Sequence, residues 1–497
     1  MSWQVTAHVY GGKQSSPATQ EEYRAAVNTL NDIGRALRAR GKLWQQSVSD
    51  LEQSRLSVPS CPKLQSGLPY STSGEHVTLP YDQLVTTCND RAASCESVGN
   101  QISDLSDLLV RAHGLYSEAE LRSRKIFNEV AQAATQFKPG WATLFLGSVA
   151  VGGLIGSWMQ EGKVNPAAAS RATAPFQEGY MSGIGSLLSG LPLGLGALRT
   201  DEVNKAAGNI SGVSGPVKNA TQGNKLTVRQ VESKTEVVGS STSVAQSLEN
   251  LRRLGEERLG TIELNSGLNY ATIAIQRYER DDGTNAWLVT IPGTDGQSDS
   301  PFDWEQNVEL MSGDAEQRKK ADSARMVVEA MKQAGISSDE PVALIGHSQG
   351  GIVAAEIAAD QSEQYNIQHV VTAGSPVANH PIPSKTWVTS IEIEDELVAA
   401  LDGTQNPSTE NWLTVRGTVS SGPDETEESS TPTYEAAPVQ GSSENYELSH
   451  WLKYHQAAYQ NASDLGSPSV QSHEEHFKQT IAGTLKETKY YEGRMSR

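Results

Sequence analysis

Apolar side chains recur every seven residues near the start of the chain: Tyr23, Leu30, Leu37, Trp44 and Leu51. Val27 and Val48 each stand four residues beyond a member of that row. Such spacing winds one apolar stripe along a helix, predicted here over residues 19 to 57 with Thr19 and Glu22 as its capping pair. A loop holding Pro59, Cys61 and Pro62 follows. A second row, Cys88, Cys95, Ile102, Leu109 and Tyr116, predicts a helix from about Asp82 to about Gln136. Leu84, Val98, Leu105, Ala112 and Ala119 form a parallel row, broken at Arg91. Two helices with sustained heptads specify an antiparallel hairpin or coiled coil, ended by Pro139-Gly140.

The pattern then changes. Residues 141–158 and 180–198 carry no charge and are rich in Gly and Ser, with Gly152 and Gly156 four apart. Each is near the shortest length that spans a bilayer, so 141–198 is a candidate for membrane contact. Their weak hydrophobicity favours burial within the protein instead. From 199 to 224 the composition is that of a linker. Beyond it, short apolar runs alternate with helical patterns: "KLTVRQV", "YATIAIQRYER", "NAWLVTIPG", the helix "DSARMVVEAMKQAG", "VALIG", the helix "GGIVAAEIAAD", "HVVTAG" and "TWVTSIEI". That alternation predicts an α/β fold with a mostly parallel sheet. The acidic stretch 420–447 lacks the apolar residues to build a core and is expected to form a flexible insert. The expected division is a helical hairpin over 1–138, apolar Gly-rich segments and linker over 139–224, and an α/β domain over 225–497.

Composition narrows the partners. A net charge of −19 argues against nucleic acid and against simple docking on anionic lipid. Three cysteines with no Cys-x-x-Cys spacing give neither a disulfide framework nor a metal site. The N-terminus has no charged region followed by an apolar core, so no ordinary signal peptide is expected.

One motif carries chemistry. "IGHSQGG" places Ser348 in a Gly-x-Ser-x-Gly pattern, which by itself is short enough to arise by chance in a chain with 44 glycines. Its context is what counts: a continuous apolar strand, Val342 to Ile345, precedes it, and a small-residue helix from Ile352 to Ala359 follows. This resembles the nucleophile elbow of the α/β-hydrolase superfamily, over roughly residues 225 to 497. The resemblance implies a serine nucleophile followed in chain order by an acid and then a histidine. Asp395, two strands after the elbow, is the expected acid, with Glu394 and Glu396 as close rivals and Asp402 as a weaker one. His455 is the expected base, because "HQAAY" resembles the start of the last helix in lipase-like members, and His450 is the rival. The run holding His473 and His476 lacks zinc-helix spacing and reads as a solvated helix face. His347 is expected to shape the elbow. The oxyanion donors implied are the backbone N–H of Gln349 and the residue Thr294 in "IPGTDG", with Gly293 and Asp295 as alternatives. "PFDWEQN" would brace that loop.

These readings predict a serine hydrolase that cleaves a lipid or other acyl ester through an acyl-enzyme, without metal or organic cofactor. The helical hairpin resembles the substrates of type VII secretion systems, with Tyr116 four residues before Glu120 as the export signal. That resemblance implies a helical secretion or chaperone partner and leaderless secretion; residence in the cytoplasm is the alternative. A rival function is a secreted interaction or pore-forming helical protein whose hydrolase domain is inactive.

Overall fold

The computed structural model describes residues 3–13, 17–64, 72–115, 203–205, 207–208, 211, 222–394, 396, 398–422, 431–442 and 449–497. The chain forms two compact units, one of residues 15–111 and one of residues 1–14 with 112–497.

The larger unit is built on a ten-stranded sheet. Its strands are β1 (Trp3–Gly11), β4 (Lys225–Val231), β5 (Thr272–Glu279), β6 (Asn285–Ile291), β7 (Pro341–His347), β8 (Asn366–Ala373), β9 (Trp387–Ile393), β10 (Trp412–Ser421), β11 (Ala437–Pro438) and β12 (Thr484–Ser496). They lie in the order β11-β1-β10-β9-β8-β7-β6-β5-β12-β4. Strands β6 to β10 run parallel, and the strands on either side pair antiparallel. A parallel strand with helices on both faces must be apolar throughout. Accordingly Val342, Ala343, Leu344 and Ile345 of β7 are all fully buried. Their side chains alternate between two cores. Ala343 and Ile345 pack with helices α3 (Val244–Arg258), α8 (Leu452–Asp464) and α9 (Pro468–Thr480). Val342 and Leu344 pack with α6 (Asp322–Ala334) and α7 (Gln349–Asp360). Two short helices, α4 (Trp304–Leu310) and α5 (Ala315–Arg318), precede α6. The expected α/β fold with a mostly parallel sheet is what the chain adopts.

The structure departs from the expected boundaries at both ends. Residues 3–11 do not belong to the helical unit. They alternate buried and half-buried positions and pair along their whole length with β10, from Trp3↔Ser421 to Gly11↔Leu413. A nine-residue segment of period two, met in isolation at a chain start, gave no sign of its distant partner. The acidic insert is likewise not all loop: Ala437 is fully buried and pairs with Val5 at the sheet edge.

In the smaller unit, α1 (Pro17–Ser57) and α2 (Tyr81–His113) are helices as expected, although α1 begins at Pro17 ahead of the supposed cap and α2 ends at His113, before Gly114 at φ 59°, well short of the expected Gln136. The loop after α1 is instead a strand, β2 (Ser60–Leu64), paired antiparallel with β3 (Thr72–Thr78). The first heptad rows face inward, with Gly34, Gly41 and Gly99 buried where the helices approach closely. A Cβ on Gly34 would sit 2.9 Å from Ser103 Oγ and 3.0 Å from the Gly99 carbonyl. Arg38 ties the pair by donating to the Gly99 carbonyl and to Ser103 Oγ. Leu84, Val98 and Leu105 of the parallel row on α2 are exposed. Tyr116, Glu120 and the segments 141–158 and 180–198 lie outside the described residues. Among the described residues no helix is long and apolar enough to cross a membrane.

Candidate active site

Strand β7 ends at His347 and α7 begins at Gln349, so the whole reversal falls on Ser348. Its backbone has φ 53° and ψ −124°, one of three positive φ values at non-glycine positions among the described residues. A side chain held there costs on the order of 1–3 kcal/mol and persists only where the surroundings enforce it. They do so by three glycines and two hydrogen bonds. A Cβ on Gly346 would collide with the backbone of Gly350, and one on Gly350 with the Ile291 carbonyl; at Gly351 it would strike Ser375 Oγ. Ser348 N–H donates to the Ala373 carbonyl at 2.9 Å, and Ser375 Oγ donates to the Ser348 carbonyl at 2.8 Å.

Ser348 opens into a cavity of about 280 Å³. One wall is α3 and the residue that ends it, with Leu251, Gly255 and Leu259 beside the charged Arg252, Glu256 and Arg258. Pro292, Gly293 and Thr294 form another, and His347, His450, Trp451 and Leu452 close it. Gln349 begins α7, so its backbone N–H is one of the free donors at a helix N-terminus beside the serine. Across from it, a Cβ on Gly293 would stand 3.0 Å from Ser348 Cβ, which brings the 293–294 backbone against Ser348. Asp295 N–H donates to the Phe302 carbonyl and Asn307 donates to Thr294 Oγ1, so "PFDWEQN" does brace this loop. Arg258 is buried beneath it. The guanidinium donates to the Gly293 carbonyl and pairs with Asp295 at 3.2 Å. Burial pulls its pKa down to about 10, against the opposing charge of Asp295. Its role left no local motif in the sequence.

Asp395 lies outside the described residues. Its neighbour Glu396 is buried, and its two carboxylate oxygens each take a histidine: Oε2 accepts from His450 Nδ1, and Oε1 from His455 Nε2 at 2.9 Å. Burial works against that charge, but His455 and His450 outweigh it and hold the Glu396 carboxyl well below its usual range. Glu394 instead accepts from Thr418, and Asp402 from the Ala378 backbone.

Of the two histidines, His450 lines the cavity with Ser348, while His455 is completely buried and does not. The reason is the position of the helix start. Helix α8 begins at Leu452, so His450 is the residue in the preceding turn, and His455 lies inside the helix on the face packed against the sheet. Burial opposes a charged His450 ring, yet Glu396 prevails and raises its pKa. His347 Nε2 lies 2.9 Å from the His450 carbonyl, and burial together with its two neighbouring histidines holds His347 well below its ordinary pKa. The Ser348 hydroxyl makes no hydrogen bond among the described residues.

Gly374, which sequence reasoning passed over, sits under all three partners. A Cβ there would fall 2.8 Å from His455 Nε2 and 3.0 Å from both Glu396 Oε1 and His450 Cε1. The His473 and His476 face is also not solvated. His473 is buried with Nδ1 3.1 Å from Thr389 Oγ1, and His476 stacks on Trp387.

Glu396, His450 and His455 are the one group of metal-capable side chains found converging among the described residues. Their donor atoms face one another as hydrogen-bonded acid and base pairs. In comparisons with known proteins, residues 303–422 match the PGAP1-like alpha/beta domain. That span holds Ser348 and Glu396 and stops short of both histidines. No curated protein and no solved structure matches the chain. Together with the parallel sheet, the match supports an α/β-hydrolase-type domain in the C-terminal part.

Proposed function

We propose that the protein is a serine hydrolase of carboxylic esters in which Ser348, His450 and Glu396 form the triad. The observation that carries this reading is one cavity holding both the strained Ser348 and a histidine whose Nδ1 is committed to a buried carboxylate. With Nδ1–H donated to Glu396, Nε2 of His450 is the nitrogen left to take the Ser348 proton. Apo sites often hold this contact open until substrate arrives.

The serine oxygen attacks the ester carbonyl, and the resulting oxyanion is met by the N–H groups of Gln349 and of the 293–294 loop. His450 then returns the proton to the leaving alcohol, and water repeats the sequence to release the acid. Glu396 keeps the tautomer and stabilises the imidazolium. The apolar lining from Leu251, Leu259, Pro292 and Leu452 suits an acyl group. An acyl ester, lipid or smaller, is therefore the substrate class.

Activity on a panel of p-nitrophenyl esters and phospholipids, with fluorophosphonate labelling, tests the proposal. Ser348→Ala should abolish labelling and lower turnover on the order of 10⁴-fold or more. A folded Ser348→Ala variant that retains a tenth of wild-type turnover would sink it.

A further inference from the structure

We infer that His455 is a positioning residue for the reaction, acting through Glu396 on His450. The inference rests on the triad read above. Both oxygens of the Glu396 carboxylate are occupied, one by each histidine, and the carboxylate is buried. A carboxylate can present Oε2 to His450 Nδ1 in one fixed orientation only if Oε1 is also held. His455 Nε2–H is the donor that holds it.

The ring of His455 is itself fixed. It is completely buried, and Gly374 closes the space beside its Nε2. His347 Nε2 meanwhile contacts the carbonyl of His450. The base is thus located through its backbone by His347 and through its acid by His455. Because His455 does not line the cavity, its removal should act on the chemical step and leave substrate binding unchanged. Without it, Oε1 becomes a charged oxygen with no partner in a buried site. The carboxylate would then turn to relieve that cost and lose its aim on His450.

The experiment compares full-length His455→Leu and His455→Gln with wild type, using a p-nitrophenyl ester for kcat and KM and a fluorophosphonate for the labelling rate of Ser348. Gln keeps an N–H donor near the Nε2 position; Leu does not. His455→Leu should lower kcat and labelling on the order of 10–100-fold with KM unchanged, as removal of an orienting partner does. His455→Gln should recover most of that loss. Should the Leu variant unfold, the ring-sized His455→Phe takes its place in the comparison. The inference fails if a folded His455→Leu keeps kcat within a factor of two, if Gln is as impaired as Leu, or if the loss is in KM. A different result would overturn the triad itself: His455→Leu as inactive as Ser348→Ala while His450→Leu remains active.

Discussion

Glu356 lies two turns into α7, the helix that begins behind Ser348. Neither of its carboxylate oxygens has a hydrogen-bond partner among the described residues, although the residue is fully buried. Burial, with Asp360 adding to it and Arg318 and Lys319 opposing, raises its pKa from 4.5 to about 8. The sign follows from proton binding. Between pH 4.5 and 8 the folded chain keeps a proton that the unfolded chain has released, so stability falls as pH rises through that window. A shift of 8 − 4.5 = 3.5 pKa units corresponds to roughly 5 kcal/mol at 1.36 kcal/mol per unit, an upper bound because the native state can relax.

Glu356→Gln removes this titration while keeping the shape. Urea unfolding of both proteins at pH 5 and pH 8 isolates the effect, since every other titrating group is shared and cancels in the difference. The two should be within about 1 kcal/mol at pH 5, where both side chains are neutral. At pH 8 the Gln variant should be the more stable by several kcal/mol. A gap between the two proteins that changes by less than about 1 kcal/mol from pH 5 to pH 8 would refute the reasoning, because a carboxyl with such a shift cannot be silent there.

Three further outcomes follow from single features. Gly374→Ala should lower kcat at least 10-fold, with retained folding checked by thermal melting, because its Cβ would crowd Glu396 and both histidines from a backbone at φ 58°; unchanged kcat would contradict that geometry. Arg258→Met should cost about 3–5 kcal/mol in urea melts by leaving Asp295 buried without its counter-charge, and should lower kcat as the oxyanion loop loosens. Replacing residues 15–111 by a flexible linker should keep ester hydrolysis, whereas deleting 1–11 should abolish folding by removing buried Trp3, Val5, Ala7 and Val9 from the core; hydrolysis and circular dichroism distinguish the two.

How much of this was legible in the sequence depends on whether a feature is local. The elbow was: a buried strand, the glycines and a small-residue helix lie in one stretch, and the steric demand that selects them acts between neighbours. The strands β4 to β9 were legible for the same reason, since period and burial are properties of each segment. For the acid, the visible end of β9 narrowed the choice to Asp395 with Glu394 and Glu396 as rivals, but these three neighbours differ only in which way the chain turns after Ile393. That choice is made by packing against β10 and α8. The base proposed here, His450, stands about one helical turn before the expected His455. "HWLKYHQAAY" reads equally well as a helix from Leu452 or from Gln456, and no capping residue marks the difference; Trp451 makes no side-chain cap.

The strand β1 was the least legible element, and its place changes the meaning of the hairpin. Its partner β10 lies some 400 residues away, and Ala7 N–H is also held by Asn461 Oδ1 on α8, the helix that carries His455. The first residues of the chain therefore brace the element that carries His455 and follows directly on His450, and the hairpin of residues 15–111 is an insertion within the hydrolase unit. A deletion from the N-terminus through the hairpin would remove a core strand as well as two helices, and the loss of activity would be charged to the hairpin in error. The hairpin's own contribution is read only from a chain that keeps residues 3–11. Such a chain also separates the two functions weighed at the outset: if esterase activity survives and any membrane or helical-partner effect is lost, the hairpin serves delivery or recognition, and the sheet alone serves catalysis.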